Sequence, residues 1–216
     1  MTRRGLLIFD LDGTLFKVHK VSIPAVQYAL SEAGFTPPTP EQIQPFFGRP
    51  DPQFHAWLRE RYQGITEETI AAIPEWELRL IPEVGELYPG VSEALAELRQ
   101  MSAHMAICSN GSPEYVTTVV ESHGLERYFD FLRWREPEDE GKPQMVRDLL
   151  ARIPDRPALV IGDRGDDISA AHENNLLAIA SHYGFGTPEE LAPADAAVHS
   201  PLDLPAAVQS LLDPGP

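Results

Sequence analysis

The chain of 216 residues carries 17 Lys and Arg against 33 Asp and Glu, which gives a formal net charge of −16 at pH 7. This balance argues against a nucleic-acid-binding protein, which needs clustered Lys and Arg, and against a polybasic protein of the membrane surface. The single cysteine, Cys108, excludes an internal disulfide and a Cys-rich zinc site and predicts a cytoplasmic protein. The length suits one domain, or one core with a small insert.

Short apolar runs alternate with segments of helical spacing along the chain. The runs are apolar on both faces and predict buried parallel strands; they are Leu6–Phe9, Met105–Cys108, Leu159–Ile161 and Leu177–Ala180. Between them, helical spacing predicts the helices Val91–Gln100, Pro113–His123 and Gln144–Ile153. This alternation, from about residue 88 onward, predicts an open α/β sheet.

Residues 16–87 have a different pattern. They contain three predicted helices, Pro24–Ala33, Pro52–Arg61 and Glu67–Leu80, and no convincing strand. The span is too long for a plain connection in a compact domain. We therefore expect a helical insert over residues 16–87 and an α/β core formed by residues 1–15 and 88–216.

Two carboxylates, Asp10 and Asp12, directly follow the first predicted strand. In extended backbone, residues i and i+2 point to the same side, roughly 6–7 Å apart. The two carboxylates repel each other, and one holds its proton unless a cation is present. Mg²⁺ resolves this repulsion, because it takes oxygen ligands and is commonly held by carboxylates together with phosphate oxygens.

Three later loops carry polar residues at the ends of apolar runs or beside them. Ser109 and Asn110 follow the second run in a small polar loop of the type that binds anions. Lys142 lies just before a proline, after an acidic run, and by itself does not indicate a functional site. Asp163 ends a strand and could reach an ion held at the first strand, Asp167 begins a helix, and Asp166 is interpreted as a solvent-facing loop charge.

The order of these motifs resembles that of the haloacid dehalogenase superfamily. The sequence reads Asp-Leu-Asp-Gly-Thr at 10–14, Ser-Asn at 109–110, Lys142, and Gly-Asp-x-x-x-Asp at 162–167. The resemblance covers nearly the whole chain and is strongest to the phosphoglycolate-phosphatase-like branch. It implies a Rossmann-like open parallel sheet with an inserted α-helical cap after the first motif.

The resemblance assigns chemical roles to the first motif. Asp10 would attack phosphorus and form an aspartyl-phosphate. Asp12 would be the general acid for the leaving oxygen and then the base for the attacking water. Thr14 would orient Asp12 or lie near the phosphate.

The resemblance assigns binding roles to the later motifs. Ser109 and the backbone at Asn110 would hold phosphate oxygens, and Lys142 would neutralise the nucleophile and the phosphate. Asp163 would bind Mg²⁺ together with Asp10 and the backbone carbonyl of Asp12. Asp167 would support the metal or Lys142.

The predicted insert offers one candidate substrate contact. The run Phe46-Phe47-Gly48-Arg49-Pro50 indicates a loop with an exposed guanidinium. We expect this loop to close over the site and Arg49 to pair with a carboxylate or hydroxyl of the leaving group. Arg164 is a second possible cation near the entrance of the site.

The sequence therefore predicts a cytoplasmic, Mg²⁺-dependent phosphomonoesterase that acts on a small phosphorylated metabolite. The substrate could be phosphoglycolate, a sugar phosphate or a nucleoside monophosphate, and the protein a monomer or homodimer. A phosphosugar mutase with the same aspartyl-phosphate is one alternative. A non-enzymatic switch phosphorylated on aspartate, resembling a receiver domain, is another, and a catalytically silent binding module is a third. Nucleic-acid and membrane partners are not expected.

Overall fold

The computed structural model describes residues 5–49 and 51–212. Six short strands form one sheet within these residues. Their bounds are Leu6–Phe9 (β1), His104–Cys108 (β2), Phe131–Arg133 (β3), Ala158–Gly162 (β4), Leu177–Ser181 (β5) and Ala196–Val198 (β6). Residues 1–4 and 213–216 of the predicted core, and Pro50 of the predicted cap loop, lie outside the described residues.

The sheet is parallel and has the strand order β3-β2-β1-β4-β5-β6. In the centre, Phe9 of β1 pairs with Ile107 of β2 on one side and with Ile161 of β4 on the other. The order of strands along the chain reverses between β1 and β4. In open α/β sheets, ligands bind beyond the carboxyl ends of the strands at such a reversal.

Helices follow the strands and also fill the connection between β1 and β2. Their bounds are His19–Glu32 (α1), Pro40–Ile43 (α2), Asp51–Arg61 (α3), Glu67–Val84 (α4), Val91–Met101 (α5), Pro113–Ser122 (α6), Lys142–Arg152 (α7), Gly165–Glu173 (α8), Pro188–Leu191 (α9) and Leu204–Leu212 (α10). Short 3₁₀ turns span Gln44–Phe46 and Pro201–Asp203. Ser112 caps α6, since its side chain accepts a hydrogen bond from the backbone N–H of Tyr115, as expected for a helix that begins with Pro113.

Alternate residues of β1 pack into two separate hydrophobic clusters. Leu7 and Phe9 belong to one cluster, and Leu6 and Ile8 belong to the other. Because helices cover both faces of the sheet, the strand is apolar along its whole length. This packing confirms the predicted Rossmann-like parallel sheet.

The helices of the connection pack on one another, with α1 against α4. Within residues 16–49 and 51–87, Phe16 and Leu87 form isolated bridges but no strand. Helix α1 begins earlier than predicted, at His19, so that Pro24 lies inside it. The extra turn buries Val21, and such tertiary packing can stabilise a helix despite the N–H donor that proline lacks.

Candidate active site

Polar side chains follow the carboxyl ends of the three central strands. Asp10 follows β1, Ser109 follows β2 and Asp163 follows β4, and each is at most 3% exposed. Lys142, the first residue of α7, reaches the same place from beyond β3. The fold therefore brings together residues that lie far apart in the sequence.

Lys142 bridges two buried carboxylates. Its Nζ donates to Oδ1 of Asp10 at 2.6 Å and to Oδ1 of Asp167 at 2.5 Å. Burial alone would lower the pKa of Lys142, but the charges of Asp10 and Asp167 raise it well above its usual value. The ammonium group is therefore a fixed positive charge beside Asp10.

Asp163 is held above the turn that follows β1. Its Oδ2 accepts a hydrogen bond of 2.7 Å from the backbone N–H of Phe185, and its Oδ1 accepts one of 3.3 Å from the hydroxyl of Thr14. A Cβ atom on Gly13 would lie 2.2 Å from Oδ2 of Asp163, and one on Gly184 would lie 2.3 Å from its Cβ. Both positions must lack a side chain for Asp163 to occupy this place.

Burial and mutual repulsion perturb the carboxylates of the site. Burial raises the pKa of Asp10 to about 8, although the charge of Lys142 opposes the shift. Burial also raises the pKa of Asp163 to about 7, with repulsion from Asp167 adding to it. The pKa of Asp167 is raised for the same main reason, its burial. Such carboxylates hold protons unless a cation neutralises them.

The same carboxylates are suited to hold a divalent cation. One oxygen each from Asp10, Asp163 and Asp167 lies within 4.8 Å of the others. Oδ2 of Asp10 is buried and has no hydrogen-bond partner in the described part of the chain. A buried carboxylate oxygen of this kind needs a proton or a cation, so the residues fit the expected metal.

Asp12 lies beside this cluster rather than in it. The phenol hydroxyl of Tyr115 donates a hydrogen bond of 2.7 Å to Oδ1 of Asp12. Among the described residues, the carboxylates that lie close enough to share a cation are those of Asp10, Asp163 and Asp167, not that of Asp12. Asp12 is predicted to contribute its backbone carbonyl to the metal. Sequence reasoning missed Tyr115, although its place in the first turn of α6, just after the polar loop, was a usable signal.

The loop after β2 is held by hydrogen bonds within the loop and to two other segments. The hydroxyl of Ser109 accepts one from the backbone N–H of Gly111 at 3.1 Å. The side-chain amide of Asn110 donates to the backbone carbonyl of Gly48 and to Oδ2 of Asp166, each at 3.0 Å. Asp166 is therefore not a solvent-facing loop charge: it is half-buried in α8 and fixes Asn110.

A cavity of about 430 Å³ opens between this loop and the helices that follow β1. Asp10, Asp12 and Ser109 line its floor, and Arg49 lines it from the connection between β1 and β2. Arg164 does not serve as a second entrance cation, because it is buried and its Nε lies 3.1 Å from Oε1 of Glu190.

A family model for haloacid dehalogenase-like hydrolases matches residues 7–181. The chain belongs to this family. Phosphoglycolate phosphatase from Rhodobacter capsulatus is 32% identical over 94% of this chain and 96% of its own length. Phosphoglycolate phosphatase from Synechococcus elongatus is 30% identical over 95% of this chain and 98% of its own length. A haloacid dehalogenase-like hydrolase from Streptococcus pneumoniae superposes with a TM-score of 0.84 and 24% identity, over 97% of this chain and all of that chain.

Membership in the haloacid dehalogenase-like hydrolases confirms two predictions, the family resemblance and the enzymatic nature of the chain as a phosphatase of this family. It sets aside the non-enzymatic receiver-like switch and the silent binding module. Among the helices that the structure describes, none has the length and apolar character needed to cross a bilayer.

Proposed function

We propose that this hydrolase is a Mg²⁺-dependent phosphomonoesterase that transfers the phosphoryl group of a small metabolite to Asp10 and then to water. The observation that carries the proposal is the asymmetry of the Asp10 carboxylate. Lys142 holds Oδ1, while Oδ2 is buried without a partner among the described residues. Oδ2 is therefore the oxygen left for the cation, and we assign the Asp10 carboxylate as the nucleophile.

In the first step, the carboxylate of Asp10 attacks phosphorus to form the aspartyl-phosphate, and the ester P–O bond breaks. Asp12 donates a proton to the leaving oxygen as that bond breaks, so the product leaves as an alcohol. Both residues line the cavity, which places the acid and the nucleophile on the same ligand. Tyr115 holds the acid through its 2.7 Å hydrogen bond to Asp12.

In the second step, Asp12 takes a proton from a water molecule that attacks the phosphorus of the aspartyl-phosphate. The bond between Asp10 and phosphorus breaks, and inorganic phosphate and the free carboxylate result. The same residue thus acts as acid and then as base, which leaves Asp12 ready for another cycle.

Positive charge near the phosphorus is the main requirement of phosphoryl transfer. Lys142 supplies a fixed charge next to Asp10, and Mg²⁺ held by Asp10, Asp163 and the backbone of Asp12 would supply further charge for the phosphate oxygens. Asp167 orients Lys142 through its own hydrogen bond. In this scheme the hydroxyl of Ser109 and the backbone at Asn110 bind phosphate oxygens.

We further propose that residues 16–87 form the cap and that Arg49 contacts the substrate from it. The placement of Arg49 in the lining of the cavity that contains Asp10 supports this role. The hydrogen bond from Asn110 to the carbonyl of Gly48 ties the loop of Arg49 to the core. The relatives named phosphoglycolate phosphatases make phosphoglycolate one candidate substrate.

A phosphosugar mutase remains the alternative within the same chemistry. A mutase must grip sugar hydroxyls and shield its aspartyl-phosphate from water. The relatives named phosphoglycolate phosphatases, at 30% and 32% identity, favour hydrolysis over group transfer to a sugar.

The decisive experiment replaces Asp10 by Asn, a nearly isosteric change. Wild type, Asp10→Asn and the surface control Asp155→Asn are compared for phosphate release from p-nitrophenyl phosphate, with Mg²⁺ and with EDTA. We expect activity in wild type and the control only with Mg²⁺, and none above background in Asp10→Asn. A folded Asp10→Asn variant that keeps its activity would refute the assigned nucleophile, and full activity of wild type in EDTA would remove the metal from the scheme.

A further inference from the structure

The part of the cavity that must receive the leaving group is largely apolar. Away from Asp10 and Asp12, its walls include Val26, Ile43, Phe46, Phe47, Phe54 and Ile73. Two of these side chains, Phe46 and Phe54, are in ring contact, with 5.2 Å between their ring centroids. Such walls favour an apolar ligand body, because burying apolar area is the main source of its affinity.

The charged groups of this wall are mostly carboxylates. Glu75 and Glu77 of α4 and Glu114 of α6 line the cavity. Glu77 is fixed in place, because its Oε1 accepts a short hydrogen bond from the hydroxyl of Ser22 on α1. An anionic leaving group would therefore meet a carboxylate that is not free to swing away.

The basic groups among the described lining residues are Arg49 and His55. Lys142 is already bound to Asp10 and Asp167. Three carboxylates of the same lining, Glu75, Glu77 and Glu114, oppose these two basic groups. This leaves little positive charge to compensate a second anionic group on the substrate.

We infer that the substrate is a phosphomonoester whose leaving group is uncharged and mostly apolar, and that Glu77 excludes leaving groups that carry a carboxylate. This inference rests on the proposed function and narrows the class of substrate. It predicts that the protein discriminates against phosphoglycolate, the compound named in the relatives that it resembles. The size of the cavity, about 430 Å³, lies within the range of about 300–1,000 Å³ typical of sites for larger ligands.

The first test compares substrates in the unmodified protein. Benzyl phosphate and phosphoglycolate are assayed for phosphate release with Mg²⁺, and we expect kcat/KM to favour benzyl phosphate by at least about tenfold. Equal values, or a preference for phosphoglycolate, would overturn the inference and leave the proposed phosphatase intact. If neither ester is hydrolysed, binding alone decides the inference, and p-nitrophenyl phosphate hydrolysis still decides the proposed function.

Binding is measured with phosphonates, which cannot be hydrolysed. By calorimetry, 2-phenylethylphosphonate should bind at least about tenfold more tightly than 3-phosphonopropionate. The second compound has the shape of phosphoglycolate with a methylene group in place of the ester oxygen. The opposite order would overturn the inference whatever the activity of the protein.

The second test replaces Glu77 by Gln, which keeps an acceptor for Ser22 but removes the charge. We expect the preference for the neutral ligand to shrink by about tenfold, through better binding of the carboxylate. Glu83→Gln is the matched control, because Glu83 is an exposed residue of the same helix outside the cavity lining. An equal change in both variants would show a general charge effect and would reject Glu77 as the selective residue.

Discussion

The hydroxyl of Tyr115 donates a hydrogen bond of 2.7 Å to Oδ1 of Asp12. The two residues belong to different parts of the core, since Asp12 follows β1 and Tyr115 lies in the first turn of α6. Both line the cavity. Tyr115 therefore fixes the orientation of the carboxylate to which we assign proton transfer, and it makes one wall of the same site.

Replacing Tyr115 by Phe should slow proton transfer selectively. The ring stays in place, but Asp12 loses a donor that orients it, so we expect kcat to fall by about tenfold for an alkyl phosphate, whose leaving oxygen needs a proton. The fall should be much smaller for p-nitrophenyl phosphate, which leaves readily without one. Steady-state kinetics on both esters provide the measurement.

Tyr28→Phe is a suitable control, because Tyr28 is 48% exposed on α1. This variant should behave like wild type with both esters. If Tyr115→Phe slows both esters equally, Tyr115 supports the fold of the site rather than the orientation of Asp12.

Gly13 should be essential for the placement of Asp163. An alanine there would put its Cβ 2.2 Å from Oδ2 of Asp163, at a backbone φ of 85° that favours glycine. Gly13→Ala should lower activity by at least about 100-fold, since a misplacement of about 1 Å has effects of this size. Metal binding, measured by calorimetry with Mn²⁺, should weaken in parallel.

Gly64→Ala separates the backbone effect from the contact effect. Gly64 has a similar φ of 82°, but an added Cβ would meet no atom within 4 Å. We expect both variants to lose about 1 kcal/mol or more of stability and only Gly13→Ala to lose activity. Full activity in Gly13→Ala would mean that Asp163 can move without consequence for the reaction.

The central strands and most helices could be predicted from the sequence, because buried parallel strands are apolar on both faces. The run Leu6–Phe9 is such a strand, and it is fully buried as β1. The edge strands β3 and β6 were not predicted, since each has only three residues and neither is fully buried. Their pairing depends on neighbours that no local pattern shows.

The candidate site was predicted as a set of residues but not as a network. Asp10 and Asp163 could be predicted because each stands at the end of an apolar run that reads as a buried strand. It could not give the hydrogen bond between Tyr115 and Asp12, which joins residues 103 positions apart. The same holds for the contact between Asn110 and Asp166, because both depend on the packing of α6 and α8 above the sheet.

The metal-free protein should lose stability as pH rises. Burial raises the pKa of Asp10 from 3.8 to about 8 and the pKa of Asp163 from 3.8 to about 7. Above about pH 4 and up to these raised values, the folded state therefore binds more protons than the unfolded state. The stabilising contribution is therefore complete below about pH 4 and is lost as pH rises through 7 and 8. In EDTA, Tm should fall by at least about 5 °C between pH 5.5 and pH 8.5.

Mg²⁺ should reverse this trend, because a cation replaces the bound protons. The increase in Tm caused by Mg²⁺ should be small at pH 5.5 and larger at pH 8.5. Asp163→Asn provides the comparison, since it removes one carboxylate whose pKa is raised. In EDTA, the Tm of this variant should therefore depend less on pH than the Tm of wild type. A Tm in EDTA that is constant or rises across this pH range would show that these carboxylates are ionised without a metal.

Lys142 should contribute strongly to stability as well as to activity. Its ammonium group lies between Asp10 and Asp167, and all three side chains are almost fully buried. Lys142→Met leaves two buried carboxylates without their cation, which typically costs about 3–5 kcal/mol. Urea unfolding at pH 8 with EDTA measures this loss, which should shrink at pH 5, where the carboxylates of the folded variant can take up protons at a smaller cost.

Adding Asp167→Asn to Lys142→Met should restore part of the stability but not the activity, because one unpaired charge is removed while Asp10 still lacks its partner. A double variant no more stable than Lys142→Met would contradict this account of the buried pair.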